Sequence, residues 1–211
     1  MAAFADSFTS RRDYRNSTVE GSPPVRRNGA GLPEKTRELT KQAAAAMADA
    51  GRESVLADFV MATLRRVPEA TLLSTDVEQL ADALVASFAF VEEHVGEEFG
   101  VRVTKSDQAL DGRAGKHTVV LVTAHDRPFL LSTVAEELAL RGLHVVRKLH
   151  PIIGFEFADD GSISGIVPSR TAKHRQSLLH FQLDRQLPDD EAHDLCVTLK
   201  ALLADVVATT D

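Results

Sequence analysis

Asp126-Arg127-Pro128-Phe129-Leu130, with Ser132 and Thr133 just behind, is the stretch of this chain best equipped to hold a small charged molecule. It lies between a β-branched and leucine run, Thr118 to Thr123, and a helical pattern over 128–141. The sequence therefore predicts a corner where a strand hands over to a helix. Backbone N–H groups in the first turn of a helix lack intrahelical acceptors and are electropositive, so a carboxylate can rest on them. Asp126 could accept an amino group there, and Ser132 or Thr133 could add a hydroxyl. A bland reading fits the same residues, with Asp126 capping the helix and Pro128 in its first turn. The two readings are compatible. The candidate ligand contacts are Asp126, Arg127, Pro128, Phe129, Leu130, Ser132 and Thr133.

No other set of residues points to a reaction. His117, His125, His144, His150, His174 and His180 follow no metal-ligand spacing, and no cysteine or tight acid pair completes a set. His150 and His180 stand apart because both fall in predicted strands, where a hydrogen bond across the sheet is the expected role. Cys196 lies on the apolar face of a predicted helix, which suits a buried, inert thiol. Gly29-Ala30-Gly31 follows no strand, so it is not a dinucleotide fingerprint. Nucleophile, base and anion-holding group do not converge. Catalytic, cofactor-binding and metal-binding residues are all expected to be absent, as is turnover by this chain alone.

Composition narrows the class of partner. A formal net charge of −7 argues against a protein that tracks a nucleic-acid backbone. No stretch approaches the ~20 apolar residues of a membrane span. The N-terminus has no apolar signal core, and its acids are unlike a transit peptide. A single cysteine suits a reducing compartment, so a cytoplasmic location is expected.

Several elements must position the corner. Residues 1–33 read as a disordered head, 34–98 as a helical segment and 99–211 as an α/β domain. Helical patterns cover 34–50, 53–67 (stopped by Pro68) and 76–95, the last with Thr75 and Glu78 as a capping box. A helical hairpin with a shared core is the natural arrangement. Val101 to Val103 reads as a short strand and 104–116 as a loop. After the corner come a long strand from Leu143 to Phe157 interrupted near Pro151, and a turn at Asp159-Asp160-Gly161. A return strand over 163–167, a strand over 176–185 and a leucine-striped final helix complete the chain. The order is β-α-β-β-β-α. A ferredoxin-like unit needs one more strand, so either an edge is open to a partner or the chain is the front of something longer.

The motifs Asp126-Arg127-Pro128-Phe129-Leu130, His150-Pro151-Ile152, Asp159-Asp160-Gly161 and Ser177 to Arg185 occur in that order. With residues 64–93 ahead of them, they resemble the N-terminal region of the large bacterial NAD-specific glutamate dehydrogenases. The resemblance implies an α+β fold, with a helical hairpin followed by an ACT/ferredoxin-like sandwich on an antiparallel sheet. It implies a regulatory or assembly segment, possessed of an amino-acid effector, that serves a downstream catalytic domain or assembles as a homo-oligomer. In the full family enzyme the reaction converts L-glutamate and NAD to 2-oxoglutarate and ammonia, with NAD bound outside this segment. The chain departs from the family where Ser132 replaces an acid and Thr133 a serine. Phe129 stands where amino-acid-binding ACT domains often have glycine, and it either plugs the site or leaves it open. The rival reading is a protein–protein interaction module with no small-molecule ligand.

Overall fold

The computed structural model describes residues 34–46, 52–65, 67, 72, 74–110 and 114–210. The head over 1–33 and the stop at Pro68 lie outside the described residues. Among the described residues the helices α1 (Glu34–Ala46), α2 (Glu53–Leu64) and α3 (Val77–Glu93) come first. Strands β1 (Phe99–Gln108) and β2 (Ala114–His125) lead to α4 (Leu130–Leu140). Then follow β3 (Val145–Leu149), β4 (Ile152–Phe157), β5 (Ile163–Val167), β6 (His174–Leu183) and α5 (Asp189–Thr210). No helix among the described residues is long and apolar enough to cross a membrane.

The six strands form one antiparallel sheet in the order β1-β2-β6-β4-β5, with β3 also paired to β6. β3 and β4 are one long strand in a single register. Leu149 faces His180 and Ile152 faces Ser177, the same spacing on both sides. The break is at His150-Pro151, where proline has no N–H to give the ladder, while the Pro151 carbonyl still accepts from Leu178 N at 3.0 Å.

The missing strand is present, and it comes from the front. β1 lies antiparallel beside β2, with Phe99 opposite Ala124 and Ser106 opposite His117. It occupies the edge that the last strand of a β-α-β-β-α-β unit would fill. The expected loop over 104–116 is thus mostly strand. Its composition hid it: an edge strand keeps polar residues such as Lys105 and Asp107 toward solvent, which blunts the apolar signal.

Helices cover both faces. On one, α4 and α5 bury Leu130, Val134, Leu138, Leu195, Leu199 and Leu203 against Val120, Val122, Leu179 and Phe181. On the other, Leu39, Leu56, Phe59, Leu84 and Phe88 of α1–α3 meet Leu121, Ile153, Phe155 and Leu178. Phe59 of α2 and Phe88 of α3 do pack, with ring centroids 5.0 Å apart. The core they close belongs equally to the sheet, so the helices are a covering layer rather than a free-standing hairpin. The described residues all fall in one compact unit.

Local details follow from residue chemistry. α3 is capped by Asp76, whose carboxylate accepts from Gln79 N at 3.0 Å, one residue beyond the expected Thr75. α4 ends on Gly142 at φ 65°, with Leu143 N bonded to Leu138 O and Gly142 N to Ala139 O, both 2.9 Å. That pattern closes the helix with the Leu143–Leu138 contact inside the core.

Candidate functional site

β2 ends at His125, Asp126 bends the chain, Pro128 and Phe129 turn it, and α4 starts at Leu130. The corner is therefore built as the sequence implies, but its residues divide the work differently. Asp126 does not cap α4. Its carboxylate is held by β6: Ser177 Oγ donates to it at 2.9 Å, and Arg175 forms an ion pair with it. The Asp126 N–H also donates to the Arg175 carbonyl at 3.0 Å. The strand register explains this, since His125 lies opposite Gln176 and the two ends stay together past the last ladder pair.

The residue at the N-cap is Phe129, in the left-handed region at φ 70° and ψ −12°, with no side-chain cap. It is the single non-glycine residue with positive φ among the described residues. Such a backbone costs an L-residue about 1–2 kcal/mol, and Phe129 is 67 % exposed rather than buried in the core. Leu130 is buried and anchors the turn in the α4–α5 core. Thr133 N donates to Phe129 O at 2.9 Å, and Ser132 Oγ donates to the same carbonyl at 3.0 Å. The amides ahead of Thr133 have no acceptor within the helix.

Arg127 points the other way. Its guanidinium donates to the Val207 carbonyl at 3.5 Å and to Thr210 Oγ1 at 3.4 Å, and meets Glu98 at 3.1 Å. A cation thus sits at the carbonyl end of α5, where the helix dipole favours it. The corner is tied to β6 through Asp126 and to the last turn of α5 through Arg127. At its far end α4 is tied to α5 again, since Arg141 reaches Glu137 at 2.5 Å, Asp194 at 2.7 Å and Thr198 at 2.8 Å.

The two singled-out histidines do not meet. Leu149, not His150, is opposite His180, and His180 Nδ1 meets Ser87 Oγ instead. His180 is 3 % exposed beneath α3. Ser87 Oγ donates to Ala83 O at 2.7 Å, so it can only accept from His180 Nδ1, 3.4 Å away. That fixes the proton on Nδ1 and leaves Nε2 as an acceptor without a partner. Burial lowers the His180 pKa to about 4. Burial also lowers that of His150, opposed by Asp126 and reinforced by Lys148. Arg185, just past the end of β6, faces Glu191 at 3.7 Å.

The family described as glutamate dehydrogenase, ACT1 domain, matches residues 59–199. The chain belongs to that family. The match runs from within α2 through the first half of α5, so the ACT1 unit includes α3 and β1 as well as the β-α-β-β-β-α core. The NAD-specific glutamate dehydrogenase of Halomonas elongata is similar, 26 % identical over 143 residues that make up 66 % of this chain. The chain spans about 9 % of that relative's length. No solved structure matches it.

Sequence reasoning missed Arg175 and Ser177 as partners of Asp126. They lie about fifty residues away, and only the β2–β6 register brings them to the corner. No local pattern carries that signal.

Proposed function

We propose that this ACT1 segment is a regulatory part of an NAD-specific glutamate dehydrogenase and takes an amino acid at the β2–α4 corner. The observation that carries the reading is the uncapped start of α4, with Phe129 turned outward. The effector carboxylate would rest on the first-turn amides, with the Ser132 and Thr133 hydroxyls beside it. Asp126, already oriented by Ser177 and Arg175, would receive the ammonium group. Because Arg127 links this corner to the end of α5, occupancy has a mechanical route to whatever follows that helix. Glutamate oxidation with NAD would belong to a catalytic domain outside this segment, in the cytoplasm.

The test is calorimetry of the chain against the common amino acids, each as L and D forms. One saturable, stereospecific response that Asp126→Asn abolishes is expected. Silence across the panel excludes the effector.

A second reading, an interaction module without a ligand, has its own support. Among the described residues β3 pairs with β6 alone, and its own Val145 and Val146 lie exposed, as does Leu140 at the end of α4. An unpaired edge with apolar neighbours can add a strand from a partner or a second copy. Concentration-dependent sedimentation, lost in Val146→Lys, would favour it.

A further inference from the structure

Between the end of α2, the β3–β4 junction and the β5–β6 turn lies a cleft of about 430 Å³. Its walls carry Arg65, Lys148, Arg170 and Arg175, with His150 and Thr63, and among the described residues no carboxylate lines it. This is a local excess of positive charge on a chain whose formal net charge is −7. Arg175 has Asp126 as its partner, but among the described residues no acid pairs with Arg65, Lys148 or Arg170. The helix dipole accounts for Arg65 at the α2 C-cap. It does not account for the other two, which come from separate elements.

Two structural details show that the wall is built. The β5–β6 turn is fixed by Thr171 N and Ala172 N, which donate to Pro168 O at 3.0 and 3.1 Å. It lies close on β4 because Gly154 is bare; a Cβ there would meet Ala172 Cβ at 2.4 Å and Val167 O at 2.7 Å. Thr63 gives an independent signal. It lines the cleft at 3 % exposure, and its hydroxyl is buried without a hydrogen-bond partner. An orphaned buried hydroxyl is costly unless something arrives to accept from it.

We propose that this cleft binds a compact polyanion with two or more oxyanion groups, seated against Lys148, Arg170 and Thr63. Guanidinium and ammonium groups suit phosphate and carboxylate oxygens alike, and the Thr63 hydroxyl would donate to one of them. Arg175 also lines the cleft and holds Asp126. The two sites adjoin through the Arg175–Asp126 pair, but the seat on Lys148, Arg170 and Thr63 does not require an amino acid at the corner.

The test is isothermal titration of the full chain with pyrophosphate and, in a second arm, tricarballylate, both at constant ionic strength. A saturable isotherm is expected in at least one arm, with Kd below about 1 mM, and the tighter arm names the phosphate or the carboxylate class. Lys148→Gln/Arg170→Gln is expected to weaken it by tenfold or more, and Thr63→Val to weaken it severalfold with the fold intact by circular dichroism. Arg185→Gln/Lys200→Gln, which removes equal charge around α5, should leave it unchanged. Absence of saturation in both arms, equal loss in the α5 control, or unaltered affinity in either cleft variant would overturn the proposal. Failure of the amino-acid titration leaves these outcomes untouched, so the two ideas fall separately.

Discussion

Where α4 and α5 cover the sheet, the buried layer is leucine, valine and phenylalanine, with Thr118 and Ser177 as its polar members. Beneath α1–α3, Thr123, Gln176, His180 and Gln182 rise from the strands, and Thr63 and Ser87 come down from the helices. Some of these polar groups satisfy one another, as Thr123 does by donating to Gln176 Oε1 at 2.7 Å. Others, His180 Nε2 and Thr63 Oγ1, are left over. Apolar burial gives non-directional cohesion, while buried polar groups demand particular partners. One face therefore holds the sheet to its helices, and the other is sensitive to pH, solutes and exact placement.

The largest effect should come from the cohesive face. Phe181→Ala removes a ring that is 1 % exposed between the sheet and its helices. It is expected to cost about 3–5 kcal/mol in urea denaturation, and a loss below 1 kcal/mol would mean that this face is loosely packed. Next comes acid sensitivity on the polar face. The unfolded His180 titrates near 6.5 and the folded one near 4, so the native state binds fewer protons between these values. Stability is fully present above about pH 6.5 and falls as the pH drops toward 4, by about 3 kcal/mol for this group. His180→Gln should flatten that slope, and an unchanged slope would place its origin elsewhere, His150 being the first alternative because its pKa shifts the same way.

Smaller effects test the corner that joins the layers. Arg127→Gln should destabilise by about 1–2 kcal/mol and speed hydrogen exchange in the last turn of α5, where Val207 and Thr210 lose their donor. Exchange confined to α4 would show that the corner and α5 are not coupled. Phe129→Gly relieves the left-handed backbone at φ 70°. Against the entropy of the added glycine, it should raise stability by about 0.5–1 kcal/mol. A decrease would mean that the exposed ring makes contacts worth more than the strain.

What could be read from the sequence differs between these regions for a physical reason. Apolar periodicity placed the stripes of α3 and α5, and turn chemistry placed Gly142 and the Asp160-Gly161 hairpin, where Gly161 has φ 83° and Ser162 N donates to Asp160 at 2.9 Å. Pro151 announced the strand break because a missing N–H acts locally. The strand-to-helix corner was legible too, since β2 carries a near-continuous apolar run. β1 was not, because an edge strand is half polar and its identity lies in pairing with β2. Asp126 looked like a cap because its neighbours in sequence permit one, yet Arg175 and Ser177 hold it from another strand.

By itself, then, the sequence determined the helices and the strands other than most of β1, which residues of their apolar stripes turn inward, and where the chain bends. Those properties depend on residues within a few positions of one another. Tertiary structure alone decided that β1 completes the sheet, that α1–α3 share its core, and that Arg65, Lys148, Arg170 and Thr63 line one cleft. These depend on strand register and layer packing, which bring together residues that no periodicity links.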